Sequence, residues 1–260
     1  MPKTLKNKSV RKKLIIVGAV VALILLLDQL IKIWVKTSVS TMDQPINLIG
    51  NWFKIVYVEN QGMAFGTTFG SGIWGKLALS IFRIIAIGGI GYYWVKQAKA
   101  GMKMEFLIAI GLIFAGATGN LIDSMFYDFI FPFKPCMSFN QLEGSGVFAN
   151  CDFYGKVEVR HAGFLLGNVV DMFQFDFTWP SWIPWLGGKD VFPAVWNVAD
   201  GSITCGVVLI LIRQRSYFPK KKKNEPLVED NPEIAEEKNE PLVEDNPEIA
   251  EEKNETEVIS

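Results

Sequence analysis

The chain has 260 residues, 50% of them hydrophobic, 13% aromatic and 20% charged, a mixture that fits membrane spans with charged ends. Its formal net charge of −1 conceals a basic body and an acidic tail, because residues 224–260 hold 14 Asp or Glu against 2 Lys. The overall balance therefore gives no ground for a nucleic-acid partner, and none is expected.

Residues 1–13 form a basic N-terminus with Lys3, Lys6, Lys8, Arg11, Lys12 and Lys13. The apolar stretch 14–35 follows. It is long enough to cross a hydrocarbon core, which takes about 20 helical residues. It exceeds the roughly 7 to 15 apolar residues of a signal-peptide core and lacks a small-residue cleavage site, so it is expected to be a retained span. Asp28 and Lys32 lie four residues apart within it, on one helix face. At 1.5 Å per residue, Asp28 sits about 20 Å from Leu14, in the outer part of the bilayer. The simplest reading of the pair is an ion pair that fastens the bundle.

The segment 36–76 contains "NWFKIVYVENQGMAFG", whose β-branched and aromatic residues turn through Asn60 and Gly62 as a strand and its turn would. A second span is expected at 77–95, then a short loop with Lys96, Lys99 and Lys103, then a third span at 106–122. The third runs into "GATGNLIDS", carrying Asn120 and Asp123 to the level of Asp28. Segment 123–194 follows. It holds Cys136 and Cys151, whose spacing permits but does not demand a disulfide; Cys205 lies further on. It also contains "GNVVDMFQFDFTWPSWIPWL", where Asp171 follows a β-prone pair and leads into aromatic residues suited to the membrane interface.

The fourth span, 195–212, begins with Asn197 and Asp200 and is followed by Arg213, Arg215 and Lys220 to Lys223. All three basic clusters fall on one side of a four-span protein, so both termini are expected in the cytoplasm and segments 36–76 and 123–194 outside. Residues 216–260 are a basic then acidic tail in which "KNEPLVEDNPEIAEE" starts at Lys223 and recurs at Lys238. Its composition cannot bury a core, and disorder is expected there.

Polar residues inside spans are costly and mark functional sites by default. Each has a plainer reading. Asn120 and Asn197 could be interhelical hydrogen bonds of about 1 kcal/mol, and Asp200 a helix N-terminal anion. Their arrival at one height from three helices favours a joint role. A lone His161 and the absence of zinc-type Cys/His spacing argue against a metal centre, and no cofactor is expected. Ser202 with Lys32 as base is a weaker serine alternative. Two adjacent aspartates would share a proton and could activate water. On the residues alone, Asp28, Asp123, Asp171 and Asp200 all compete for those two places.

Five motifs carry a family resemblance: "DQLIK" from Asp28, "ENQGMAFG" from Glu59, "GNLID" from Gly119, "NVVDMF" from Asn168 and "WNVAD" from Trp196. In this order and with four spans, the stretch 14–215 resembles the bacterial lipoprotein signal peptidases, or type II signal peptidases. The resemblance implies an aspartic endopeptidase of the bacterial inner membrane with its active site at the outer face. Its substrates would be prolipoproteins, cut before a cysteine that already bears a diacylglyceryl group. It implies Asp171 and Asp200 as the catalytic pair, with Asp123, Asn60, Gly62, Asn120 and Asn197 holding substrate or supporting the pair, and Asp28 and Lys32 in a structural role.

The fold expected is mainly α, four transmembrane helices with a small extracytoplasmic β-rich platform, acting as a monomer among membrane lipids. Three departures stand out. Ser124 occupies a position where many members have Arg, with Arg160 a candidate substitute; Trp196 stands where Phe is common; and residues 127–167 look like an inserted loop or lid. The competing class is a non-catalytic scaffold or transporter-like bundle with a buried polar site. A transporter of that kind predicts inverted repeats, and the two halves show none.

Overall fold

The computed structural model describes residues 3–40, 44–61, 73–152 and 155–218. Gly62 and the repeat tail lie outside the described residues. Two units divide the chain, Met1–Pro219 and Lys220–Ser260, and all described residues belong to the first.

Four helices form the body: α1 (Lys3–Ser38), α2 (Ile73–Lys99), α3 (Met104–Ile130) and α4 (Val198–Tyr217). Among the described residues, three are long and apolar enough to cross a membrane, namely α1 from Asn7 onward, α2 and α3. With 20 residues, α4 spans about 30 Å at 1.5 Å per residue. Asp200, Arg213 and Arg215 put three charges into it. Many apolar side chains of α1 and α2 face outward, among them Leu23, Leu26, Leu30, Phe82 and Ile85, as helices surrounded by hydrocarbon require.

The third helix is the central one, with the longest series of buried residues. Val17 and Val21 of α1 pack over its Gly111. On another face α4 comes so close that a Cβ on Gly116 would stand 2.2 Å from the Ala199 carbonyl, and one on Gly206 2.6 Å from the Ala109 carbonyl. Small residues permit this backbone approach, the usual means of joining helices where lipid offers no hydrophobic drive between them. The helix continues eight residues beyond the apolar stretch that announces it, because Asp123, Ser124 and Tyr127 are buried against the bundle. It ends at Phe131, which is extended at φ −117°, ψ 144°, as the residue before Pro132 should be.

A four-stranded antiparallel sheet sits at the other end of these elements. Its strands are β1 (Ile46–Ile49), β2 (Phe53–Asn60), β5 (Val169–Phe175) and β6 (Val195–Trp196), in that spatial order. In β2 and β5, Val58 stands opposite Asp171 and Asn60 opposite Val169, with an irregularity between Ile55 and Val58. The short strand β6 runs straight into α4, so the fourth helix starts three residues later than hydropathy suggests. Rings of Trp52, Phe53, Phe173, Phe175 and Trp196 pack against one another across the sheet, some stacked and some tilted.

Between α3 and β5 lies the insertion. It contains a helical turn at Ser138–Asn140 and a hairpin of β3 (Phe148–Cys151) and β4 (Gly155–Glu158). Cys136 and Cys151 are joined by a disulfide. Arg160 anchors the segment to α3 through a two-pronged ion pair with Asp128, at 2.7 and 2.8 Å.

Candidate active site

Strand β5 brings Asp171 to the sheet surface nearest the helices, and the first turn of α4 brings Asp200 to the same place. Both line one cavity of about 810 Å³, together with Asn60, Asn120, Arg83 and the apolar residues Val58, Phe175 and Trp196. Asp171 is almost fully buried, at 3% exposure, whereas Asp200 is partly open.

The start of α4 explains the position of Asp200. Asn197 has an extended backbone at φ −126°, ψ 177°, and its side chain accepts from the Asp200 amide at 2.9 Å; the Asp200 carboxylate accepts in return from the Asn197 amide at 3.3 Å. This reciprocal cap satisfies amides that a helix leaves free. Asn120 Nδ2 of α3 donates to the other Asp200 oxygen at 2.8 Å. The plain reading of Asp200 as a helix N-terminal anion is therefore physically sound, and the same carboxylate faces the cavity.

Asp171 is held by amides as well. Asn197 Nδ2 donates to it at 2.6 Å, and Asn60 Nδ2 donates to its second oxygen. Asn197 thus touches both carboxylates, donating to Asp171 from its side-chain Nδ2 and to Asp200 from its backbone amide. Burial, and after it the nearby negative charge of Asp200, push the Asp171 carboxyl up to about 7. A carboxyl in that condition favours its protonated form.

Behind the pair is a dry ionic layer. Lys32 binds Asp28 at 2.9 Å and Asp123 at 2.8 Å, all three with 1% exposure or less, and donates to Asn120 Oδ1 at 2.9 Å. Asp28 accepts from the Ala199 amide at 2.9 Å, so it caps α4 from α1. Asp123 accepts from the Val170 amide at 3.3 Å, one residue before Asp171. Of the nine residues singled out in the sequence, eight fall in this connected network, and the ninth, Gly62, lies outside the described residues. The geometry separates the four competing aspartates: Asp28 and Asp123 are tied to Lys32, and Asp171 and Asp200 face the cavity.

Gln29 was passed over although it lies inside "DQLIK". It donates to Asp123 at 2.9 Å and accepts from Tyr127 at 3.2 Å. Arg83 was missed as well. It comes from α2, lines the cavity and reaches Ser124 Oγ at 3.5 Å. The expected substitute for an arginine at position 124 was Arg160, and the structure corrects this: Arg160 is committed to Asp128, Asn140 Oδ1 and the Leu166 carbonyl. Nor does any described residue of the 127–167 insertion line the cavity. Among the described residues no cluster of His, Cys, Asp or Glu could hold a metal ion.

Comparison with known proteins gives the chain a family. A family described as signal peptidase (SPase) II matches residues 20–215. A lipoprotein signal peptidase of Porphyromonas gingivalis strain ATCC 33277 is 40% identical over 203 residues, covering 76% of this chain and 81% of that protein. One from Amoebophilus asiaticus is 36% identical over 206 residues, covering 75% of each. A bacterial membrane enzyme solved by the in meso method at 2.3 Å resolution shares the fold, with a TM-score of 0.50 at 22% identity over 80% of this chain and 93% of that one. The family match encloses every element of the cavity and stops before the repeat tail, and the chain belongs to the signal peptidase II family of aspartic peptidases.

Proposed function

We propose that the protein removes signal peptides from lipoprotein precursors at the outer face of a bacterial membrane, cutting before a lipid-bearing cysteine, with Asp171 and Asp200 as the groups that activate water. The observation that carries this reading is the pair of carboxylates, one from β5 and one from α4, facing a single largely apolar cavity and linked through Asn197. The names of the relatives and the five sequence motifs supply the substrate class.

The two carboxylates divide the chemistry by their surroundings. Asp200, at a helix N-terminus and accepting from Asn120 and a backbone amide, is the ionised partner. Asp171 holds the proton. Asp200 takes a proton from water as the oxygen attacks the scissile carbonyl carbon, and Asp171 donates its proton to the carbonyl oxygen. In the collapse of the tetrahedral diol, the proton on Asp200 passes to the departing amine nitrogen and the C–N bond breaks. Asp171 recovers a proton from the diol hydroxyl, so both groups return to their starting states without a covalent intermediate.

The outward orientation is supported by the basic clusters at the far helix ends and by the Cys136 to Cys151 disulfide, which belongs in an oxidising compartment. A lipid-anchored substrate would present its scissile bond at the same depth as the sheet. The test uses the purified protein in detergent with two peptides of one prolipoprotein sequence, with and without the diacylglyceryl group, and product masses as readout. Cleavage only of the lipidated peptide, immediately before the modified cysteine, is expected. Equal cleavage of both, or a cut elsewhere, would contradict the proposed specificity.

A further inference from the structure

Asn168 stands immediately before β5, three residues from Asp171, and is 1% exposed. The β2 to β5 ladder ends at the pair Asn60 and Val169, and past that pair side chains take over from the ladder. The Asn168 carboxamide accepts from Lys76 Nζ of α2 at 2.9 Å, and donates to Asn140 Oδ1 at 3.0 Å and to the Phe139 carbonyl at 3.4 Å. Asn140, 3% exposed, belongs to the helical turn of the insertion. Its Oδ1 also accepts from Arg160 Nε at 2.7 Å, and Arg160 is the residue that grips Asp128 of α3. One buried amide thus joins α2, the insertion and, through Arg160, α3 at the point where the strand of Asp171 begins.

The turn that leads into Asn168 is held in the same manner. Ser80 Oγ of α2 donates to the Leu165 carbonyl at 2.8 Å, Arg160 Nη1 to the Leu166 carbonyl at 2.9 Å, and the Gly167 amide to the Ser124 carbonyl of α3 at 2.9 Å. A Cβ on Gly167 would stand 2.5 Å from the Asp123 carbonyl, so the chain lies directly on α3 there. Leu165 takes φ +66°, a left-handed conformation that costs a residue with a Cβ about 1 to 2 kcal/mol and persists only where the surroundings impose it.

We propose that Asn168 is a positioning residue for the reaction: through it the insertion, none of whose described residues lines the cavity, fixes the start of β5 and so the depth at which Asp171 is buried. Lacking this amide, Lys76 and Asn140 lose a buried partner and the strand start loosens. Burial is the first cause that lifts Asp171 to about 7, so a shallower Asp171 gives up its proton at lower pH. The charged groups that bear on Asp171 are Asp200 of α4 and Lys32 of α1, with Arg83 of α2 in the same cavity, Glu59 of β2 opposite Val170 and Asp123 of α3 on the Val170 amide. Those at Asn168 itself are Lys76, Arg160 and Asp128.

This role rests on the aspartic mechanism proposed above, and one experiment separates the two. Rates and the pH dependence of kcat/KM for a lipidated precursor peptide are measured with the full chain and with Asn168→Ala, Asn140→Ala, the double variant, Lys156→Ala and Asp171→Asn, each checked by thermal unfolding in detergent. Asn168→Ala should lose about tenfold in kcat with KM within about threefold, and the basic limb of its profile should move to lower pH. Asn140→Ala removes the insertion's half of the contact and leaves Lys76 in place; it should move the limb in the same direction. The double variant should do little more than Asn168→Ala alone, because the two residues act as one unit. Lys156→Ala, on the exposed hairpin of the same insertion, should leave rate and limb unchanged. If the two asparagine variants fold, unfold at lower temperature and keep the original limb, the amide only fastens the fold and the proposal is overturned. An equal shift in Lys156→Ala overturns it as well. Should Asn168→Ala not fold, Asn140→Ala decides alone. Activity remaining in Asp171→Asn would sink the aspartic mechanism itself.

Discussion

Asp171 and Asp200 are the same functional group in unlike settings, and the difference is what makes them useful. Asp171 projects from a strand into a buried position and, among the described residues, receives neutral amides from Asn60 and Asn197. Asp200 belongs to a helix start, where backbone amides favour an anion. With Asp171 raised to about 7, the free enzyme should lose kcat/KM above that pH, by about tenfold per unit once the proton has gone. Stability should follow the same group. A folded-state value above the unfolded one means that the folded protein binds the extra proton, so stability falls as pH rises from about 4 to about 7. Thermal unfolding in detergent should therefore occur at higher temperature at pH 5 than at pH 8, and the gap should narrow in Asp171→Asn. A gap of equal size in that variant would show that other groups cause it. At this scale the sequence was informative where motifs were dense and silent where a residue stood alone. Asn120, Asp123 and Asn197 were legible because polar residues in apolar surroundings are conspicuous. Arg83 carried the same signal, a charge inside a span, but its partner Ser124 lies 41 positions away on another helix and only the folded bundle brings them together.

The elements place these groups through close backbone approach. Gly116 and Gly206 let α3 and α4 touch, and Asp28 then reaches the first turn of α4 from α1. Gly116→Ala should cost about 2 kcal/mol or more, since its Cβ would meet a backbone carbonyl at 2.2 Å and the helices must separate. Gly88→Ala on α2, where a Cβ meets nothing within 4 Å, should be neutral or stabilise by up to about 1 kcal/mol through helix propensity. Comparable losses in the two variants, measured by thermal unfolding, would refute the close-packing account. Helix existence could be read from apolar length, but helix ends could not. The third helix runs on to Ile130 because its polar continuation is buried by tertiary contacts, and the fourth starts late because Val195 and Trp196 pair with β5. In the order β1, β2, β5, β6, the β2 to β5 pairing joins residues more than a hundred positions apart in the chain, which local periodicity does not encode.

At the scale of the molecule, a helical body buries the ionic layer of Asp28, Lys32 and Asp123, and the sheet closes over it to form the cavity. The insertion is a separately stapled feature: its disulfide joins Cys136 to Cys151 within it, the Arg160 to Asp128 pair binds it to α3, and none of its described residues lines the cavity of the carboxylates. Its length was evident in the sequence, whereas its absence from the cavity lining depended on where the hairpin folds. The acidic repeat lies outside the stretch that the family matches, so deleting residues 224–260 should leave the rate of peptide cleavage within about twofold. A large loss in the truncated protein would assign the tail a part in turnover.

The most direct test of the account is single-turnover cleavage of a diacylglyceryl-modified precursor peptide by the purified protein, beside Asp171→Asn and Asp200→Asn variants shown to fold by their thermal unfolding. The account predicts cleavage by the unaltered chain and at least a thousandfold loss in each variant, because each removes one of the two proton-transferring groups. Substantial cleavage by either folded variant would contradict it.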